Sequence, residues 1–272
     1  MKEYPKAYQV DHKVTYQKGD WSFHNEVLNL KGQPVSAIVS QNMELDPEKR
    51  FPDIPTAELK DYGKMKENLR IRLIRRKGNR ALLEEVPYQI HPMGAETVYV
   101  KFEEKNGGAV WGMHVTHPFL EAWDISKDEL FETALKNSQE KESVLFHPLE
   151  EELDRLMGRE KQEKEAADQN ALYLLSNQSK QHGASVLLYP GLLESIHKKL
   201  GGDYYILPSS VHEVLVISKA SDIPPGVLKS TVKAVNREEG CPEEQLGNGI
   251  YEYQGGTGTL KKYRNLEKEI TH

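Results

Sequence analysis

The sequence predicts an α+β fold, mostly antiparallel sheet with a few packed helices, and three observations carry that reading. Its β-prone runs are joined by short turns, not by helical crossovers. A strong helix start stands alone in the middle of the chain. The last hundred residues read as strand, strand, helix, strand, strand, helix and a final hairpin.

Taken in order, "VTYQ", "VLNL" and "VSAIVS" within residues 10–40 are short strand-like runs separated by Gly19-Asp20 and Lys31-Gly32. Residues 44–56, "ELDPEKRFPDIPT", hold three prolines and read as a connector. Thr56 then caps an expected helix through "AELKDYGKMKENLRIRLIRR", which Gly63 weakens and Gly78 stops. "TVYVKFEE" and "AVWGMHVT" flank Asn106-Gly107-Gly108, a hairpin signal. In "DISKDELFETALKN", Ser126 and Glu129 form a Ser-x-x-Glu capping box. Leu130, Phe131, Ala134 and Leu135 give that helix one apolar face.

Residues 150–169 are almost all charged or small and form a linker or a solvated helix. They separate an N-terminal α+β region, 1–149, from a C-terminal one, 170–272. In the latter, "NALYLLS" and "ASVLLY" read as strands around a polar turn at Asn177–Gly183. Pro190 opens the helix "PGLLESIHKKL" and Gly201-Gly202 closes it. "DYYILP" and "VHEVLVI" are strands, Pro224-Pro225 starts a helix, and "GIYEYQ" and "GTLKKY" form a hairpin around Gly255-Gly256. The consecutive apolar residues Val214–Ile217 mark a strand buried on both faces, hence a central one.

The chain has 272 residues, 38% apolar and 29% charged, with net charge −6. That suits a core-forming protein and gives no reason for general adhesion to nucleic acid. A single cysteine, Cys241, cannot form an internal disulfide, which fits a reducing compartment. With no signal-peptide core at the start and no run of about 20 apolar residues, the expected location is the cytoplasm, without membrane contact.

The stretch "GGDYYILPSSVHEVLVIS" places Ser209, Ser210, His212 and Glu213 between two apolar runs. A serine with a histidine base and a carboxylate can perform acyl-transfer hydrolysis, provided that hydroxyl and imidazole meet within about 3 Å. No Gly-x-Ser-x-Gly elbow surrounds either serine. Ser210 and His212 would share a strand face about 6.7 Å apart, too far for direct contact, whereas Ser209 could bend back. The other reading is a hairpin with a polar mouth, structural or binding.

This stretch carries a resemblance. "GASVLLYPGLLESIHKKLGGDYYILPSSVHEVLVI", with the preceding "ALYLLSNQSKQHGA" and "THPFLEAWDISKDELFETALKNS", resembles the bacterial family called domain of unknown function five-six-eight-eight. The likeness spans roughly residues 70–260 and is most specific over 171–236. It implies no activity and no catalytic residues to carry over.

Two further constellations hold candidate residues. "RIRLIRRKGNR" gathers Arg70, Arg72, Arg75, Arg76, Lys77 and Arg80, a local positive patch for a phosphate backbone or an acidic partner. It has no interleaved aromatics for base stacking. His114 and His117 in "MHVTHPF" could ligate a metal with His91 and His147, though residues three apart on a strand point to opposite faces. No motif calls for a cofactor, and the acidic pairs, Glu151-Glu152 among them, read as solvated charge. The expected function is therefore a non-enzymatic binding or accessory protein acting on a protein or nucleic-acid partner, with a Ser/His hydrolase as the alternative.

Overall fold

The structure, a computed structural model, describes residues 8–18, 21–30, 36–44, 56–103, 110–159, 170–238 and 244–264. Along the chain run β1 (Tyr8–Lys18), β2 (Trp21–Leu30), β3 (Ser36–Glu44), α1 (Thr56–Leu59), α2 (Tyr62–Met65), β4 (Leu69–Ile74), α3 (Arg80–Glu85), β5 (Tyr88–His91), β6 (Gly94–Glu103) and β7 (Val110–His114). There follow α4 (His117–Trp123), α5 (Lys127–Lys141), β8 (Val144–Pro148), α6 (Leu149–Leu156), β9 (Tyr173–Asn177), α7 (Leu192–Leu200), β10 (Tyr204–Pro208), β11 (Val214–Ser218), α8 (Pro225–Glu238), β12 (Tyr251–Gln254) and β13 (Thr259–Lys262). The turns at Gly19-Asp20, Lys31-Gly32 and Asn106–Gly108, most of the proline connector and Cys241 lie outside the described residues.

Two antiparallel sheets result, so the fold is α+β. The first has the order β1-β2-β3-β7-β6-β4, with β5 also paired to β6; the second has the order β13-β12-β10-β11-β9-β8. The chain divides into two compact units. One comprises Met1–Arg72, Asn79–Gln89 and Glu96–Lys141, and the other Leu73–Gly78, Ile90–Ala95 and Glu142–His272.

In the first unit, Leu69 and Ile71 of β4, Val98 and Val100 of β6, and Met113 of β7 are buried. So are Phe119 and Trp123 of α4 and Leu130, Phe131 and Ala134 of α5. Phe119 and Trp123 lie 5.0 Å apart, and the Trp123 indole donates to the Leu59 carbonyl oxygen at 2.8 Å. The Ser126 hydroxyl caps α5 by accepting from the Glu129 amide at 3.1 Å.

β4 ends its sheet, and serine hydroxyls satisfy its outward amides. Ser138 Oγ accepts from Ile71 N–H at 2.9 Å, and Ser185 Oγ accepts from Leu73 N–H at 3.3 Å. The helix expected from Thr56 to Arg76 is therefore not formed as one piece. It breaks into α1, α2 and a 3-10 turn, Lys66–Asn68, and then extends as β4. The alternation Leu69-Arg70-Ile71-Arg72-Leu73 has period two, and tertiary pairing made it decisive.

In the second unit, β10 and β11 are the central strands, and register explains the burial on both faces. Tyr205 stands opposite Ile217 and Leu207 opposite Leu215, while Ile206 and Val216 share the other face. Tyr205, Leu207 and Ile217 pack with Leu228 and Val232 of α8 and with Ile250. Gly191 and Gly201 bound α7 with φ of 78° and 72°, the left-handed region that glycine enters without penalty.

"ASVLLY" is not a strand: Gly183–Leu188 is a 3-10 helix, so the strand beside β9 is supplied by β8 instead. The segment 150–169 begins inside α6, and residues 160–169 lie outside the described residues. Among the described residues no helix is long and apolar enough to cross a membrane.

Candidate functional site

The second unit brings two polar segments together at one end of its sheet. β9 and β11 pair with Val214 opposite Leu175, so residues 177–183 after β9 meet Ser209–Glu213 before β11. The 209–213 loop is closed internally. Ser210 Oγ accepts from the His212 amide at 3.0 Å, and Ser210 N–H donates to the Glu213 carbonyl at 3.1 Å. Val211 is buried, donates its amide to the Glu244 carbonyl at 2.6 Å and accepts from Ala184 N–H at 3.2 Å. Ser176 Oγ donates to the His212 carbonyl at 2.7 Å.

The approach leaves no room at Gly183. A Cβ there would lie 2.5 Å from the His212 carbonyl oxygen and 2.7 Å from the Asn177 nitrogen. Lys180 and His182 hold φ of 53° and 51°, a strained region for side-chain-bearing residues that persists only where surroundings enforce it.

The His212 ring is engaged at both nitrogens. Nδ1 faces the His182 backbone N–H at 3.2 Å, and Nε2 lies 3.1 Å from Glu244 Oε1. A backbone N–H can only donate, so Nδ1 is the acceptor and the neutral ring carries its proton on Nε2, aimed at the carboxylate. The His182 ring stacks on it with centroids 5.5 Å apart. Neither nitrogen meets a serine hydroxyl, so the atoms of a Ser–His dyad are present but not assembled. The Glu213 carboxyl is raised by burial, an effect opposed by the Lys180 and His212 charges and by a Ser209 hydrogen bond.

Around this pair of loops lies a charged network. Glu152 of α6 is only 7% exposed, against the sequence expectation of a solvated acid. It pairs with Lys180, with Arg155 at 2.7 Å and with His147 Nε2 at 3.5 Å. Burial alone would raise its carboxyl, but the Lys180 and Arg155 bonds and charges outweigh that and hold it below the usual range. Glu142 accepts from Asn177 Nδ2 at 3.2 Å and from Ser179 Oγ at 3.0 Å. Replacing Glu152 by Gln should lower the urea-unfolding free energy of this unit by about 1–3 kcal/mol, because Lys180 and Arg155 lose their shared counter-charge. A change below about 0.5 kcal/mol would show the network to be dispensable.

The other candidate residues are dispersed. Arg70 is 7% exposed and donates to the Glu67 and Leu69 carbonyls at 2.9 and 2.8 Å. Arg72 Nη1 bonds His114 Nε2 at 3.2 Å, and Arg75 donates to Gln245 at 3.4 Å. Arg76, Lys77 and Arg80 are exposed, the first two in the turn before Gly78 and the last opening α3. His114 is buried, and burial with the Arg72 charge lowers its pKa to about 3, whereas His117 is exposed at the start of α4. His91 accepts from Met93 N–H at 3.2 Å, and burial lowers its pKa to about 4. Among the described residues no group of three or more His, Cys, Asp or Glu is placed to hold a metal.

Nothing local in the sequence marks Lys180 or Glu244 as site residues, and Glu152, which reads there as solvated charge, is buried. The 177–183 turn was legible as polar, but nothing local tied it to His212.

Residues 23–255 match the model of a protein family described as "Family of unknown function (DUF5688)". No curated protein and no solved structure matches the chain.

Proposed function

This chain belongs to DUF5688, a family of unknown function, and we propose that it works in the bacterial cytoplasm as a non-enzymatic binding or accessory protein for a protein partner, engaged through the face built by residues 177–183 and 209–213. The observation that carries this reading is the double engagement of the His212 ring by His182 and Glu244. The His212 ring orders two loops, and a preordered loop surface binds without the full entropic cost of closing. The mixed charge of the face, with Glu152, Lys180, Arg155 and Glu213, suits a polar protein surface better than a phosphate backbone. The inward use of Arg70 and Arg72 points the same way.

The test is photo-crosslinking from position 179, where Ser179 is exposed, with position 198 on α7 as control. One specific protein captured from 179 alone, and lost in His212→Ala, is the expected result. Salt-sensitive binding of a mixed DNA and RNA pool that disappears when Arg76, Lys77 and Arg80 are reversed in charge would move the function to nucleic acid. Ester or amide turnover abolished by Ser209→Ala or Ser210→Ala would establish the hydrolase alternative.

A further inference from the structure

We propose that His212 is a proton-released clasp: protonation of its ring releases the His182 backbone amide, its hold on the 177–183 turn, while leaving the contact to Glu244 in place. This concerns regulation of the face described above, and its effect on a partner rests on that reading; the clasp itself does not.

The argument is one of donors and acceptors. The neutral ring offers one lone pair, on Nδ1, and the His182 N–H occupies it at 3.2 Å. The second proton of an imidazolium can go only to that nitrogen, where it would face another N–H, and two donors cannot bond each other. On the other side, Nε2–H and the Glu244 carboxylate form a stronger, charge-assisted bond when the ring is charged. Protonation therefore breaks one contact and tightens the other.

The turn that carries the released amide is held in a conformation it would not choose. His182 and Lys180 are both left-handed, and the His182 amide bond to the ring is a restraint on that geometry. Beyond His182 the chain stays anchored, because Ser185 N–H and Oγ both donate to the His182 carbonyl, at 3.0 and 2.6 Å. Before it, Asn177 and Ser179 stay bonded to Glu142 and Lys180 to Glu152, so release is confined to the Gln181–His182 peptide.

The charged groups around the ring act in both directions. Glu244 and the adjacent Glu213 favour the imidazolium, as does Glu152 at longer range. The stacked His182 ring when charged, Lys180, and Arg75, which reaches Gln245 next to Glu244, oppose it. Imidazoles as a class change charge between about pH 5 and 8, which sets the range of the experiment.

The experiment is a titration of the whole chain by NMR from about pH 8 to about pH 5, following the His212 ring nitrogens and the His182 amide. At high pH, Nδ1 should be bare and Nε2 protonated. On acidification the His182 amide should lose protection about tenfold, corrected for intrinsic exchange, at the midpoint of the ring. In His212→Asn a carboxamide oxygen replaces the Nδ1 acceptor but does not titrate, so protection should persist. Glu244→Gln provides a second check that retains the imidazole: removing the carboxylate lowers the ring midpoint, and the amide midpoint must move with it. A ring that does not titrate, an amide indifferent to it, an amide response that survives in His212→Asn, or one that stays put in Glu244→Gln would overturn the clasp. None of these readings uses a partner, so the clasp can fail while crosslinking from position 179 succeeds, and the reverse.

Discussion

Acidification from pH 6.5 towards about pH 3 is expected to remove about 1.4 kcal/mol of stability per pH unit from the first unit through His114 alone. The unfolded chain binds a proton at this histidine below pH 6.5, whereas the folded chain, with the ring buried beside Arg72, does not until about pH 3. Protons are therefore bound by the unfolded state across that window. The contribution is complete above pH 6.5 and is lost as pH falls. His114→Gln keeps an acceptor for Arg72 and has no group to titrate. Urea unfolding at about pH 7 and about pH 4.5, followed by tryptophan fluorescence, should show a steep loss in the parent and a shallower one in the variant. Parallel slopes would mean that the ring is hydrated and charges freely. His91, lowered to about 4 by burial, adds the same tendency to the second unit.

The second large effect belongs to Gly183. Adding a single methyl group should destabilise the second unit by about 3 kcal/mol or more. The Cβ of Gly183→Ala would lie within 2.7 Å of two backbone atoms, the His212 carbonyl oxygen and the Asn177 nitrogen. Backbone cannot rotate away as a side chain can. To make room, the 177–183 turn must retreat from the 209–213 loop, which strains the Ser176-to-His212 and Ala184-to-Val211 hydrogen bonds. Gly202→Ala is the control, since nothing lies within 4 Å of its Cβ. Chemical denaturation of both variants decides the matter. Equal, small losses would show that the loops separate without cost and are not a built unit.

The parts of the fold legible in sequence were those decided locally. The Ser126 cap, the glycines around α7, Pro225 at the start of α8 and the hairpin of β12 and β13 each act within a few residues. Central placement of β11 was legible too, because a continuous apolar run needs cover on both faces.

The misreadings share a cause. "LRIRLI" continues a helical pattern in sequence but pairs as β4, and "GASVLL" has β-prone residues yet turns as a 3-10 helix whose Gly183 packs against the His212 carbonyl. α4 begins at His117-Pro118, where proline at the first turn was a usable but unused signal. At the site, Ser210 and His212 were found, but their partners were not. His182, Glu244, Lys180 and Glu152 come from distant parts of the chain, and no spacing rule connects them.

The serine hydroxyls along β4 have a consequence for growth of the sheet. An outermost strand normally displays alternate amides that can template another chain, and repetition of that step builds fibrils. At Ile71 and Leu73 those amides already have acceptors, so an incoming strand would have to displace Ser138 and Ser185 before it could dock. β4 is capped against propagation by two small polar side chains, without a proline to do it.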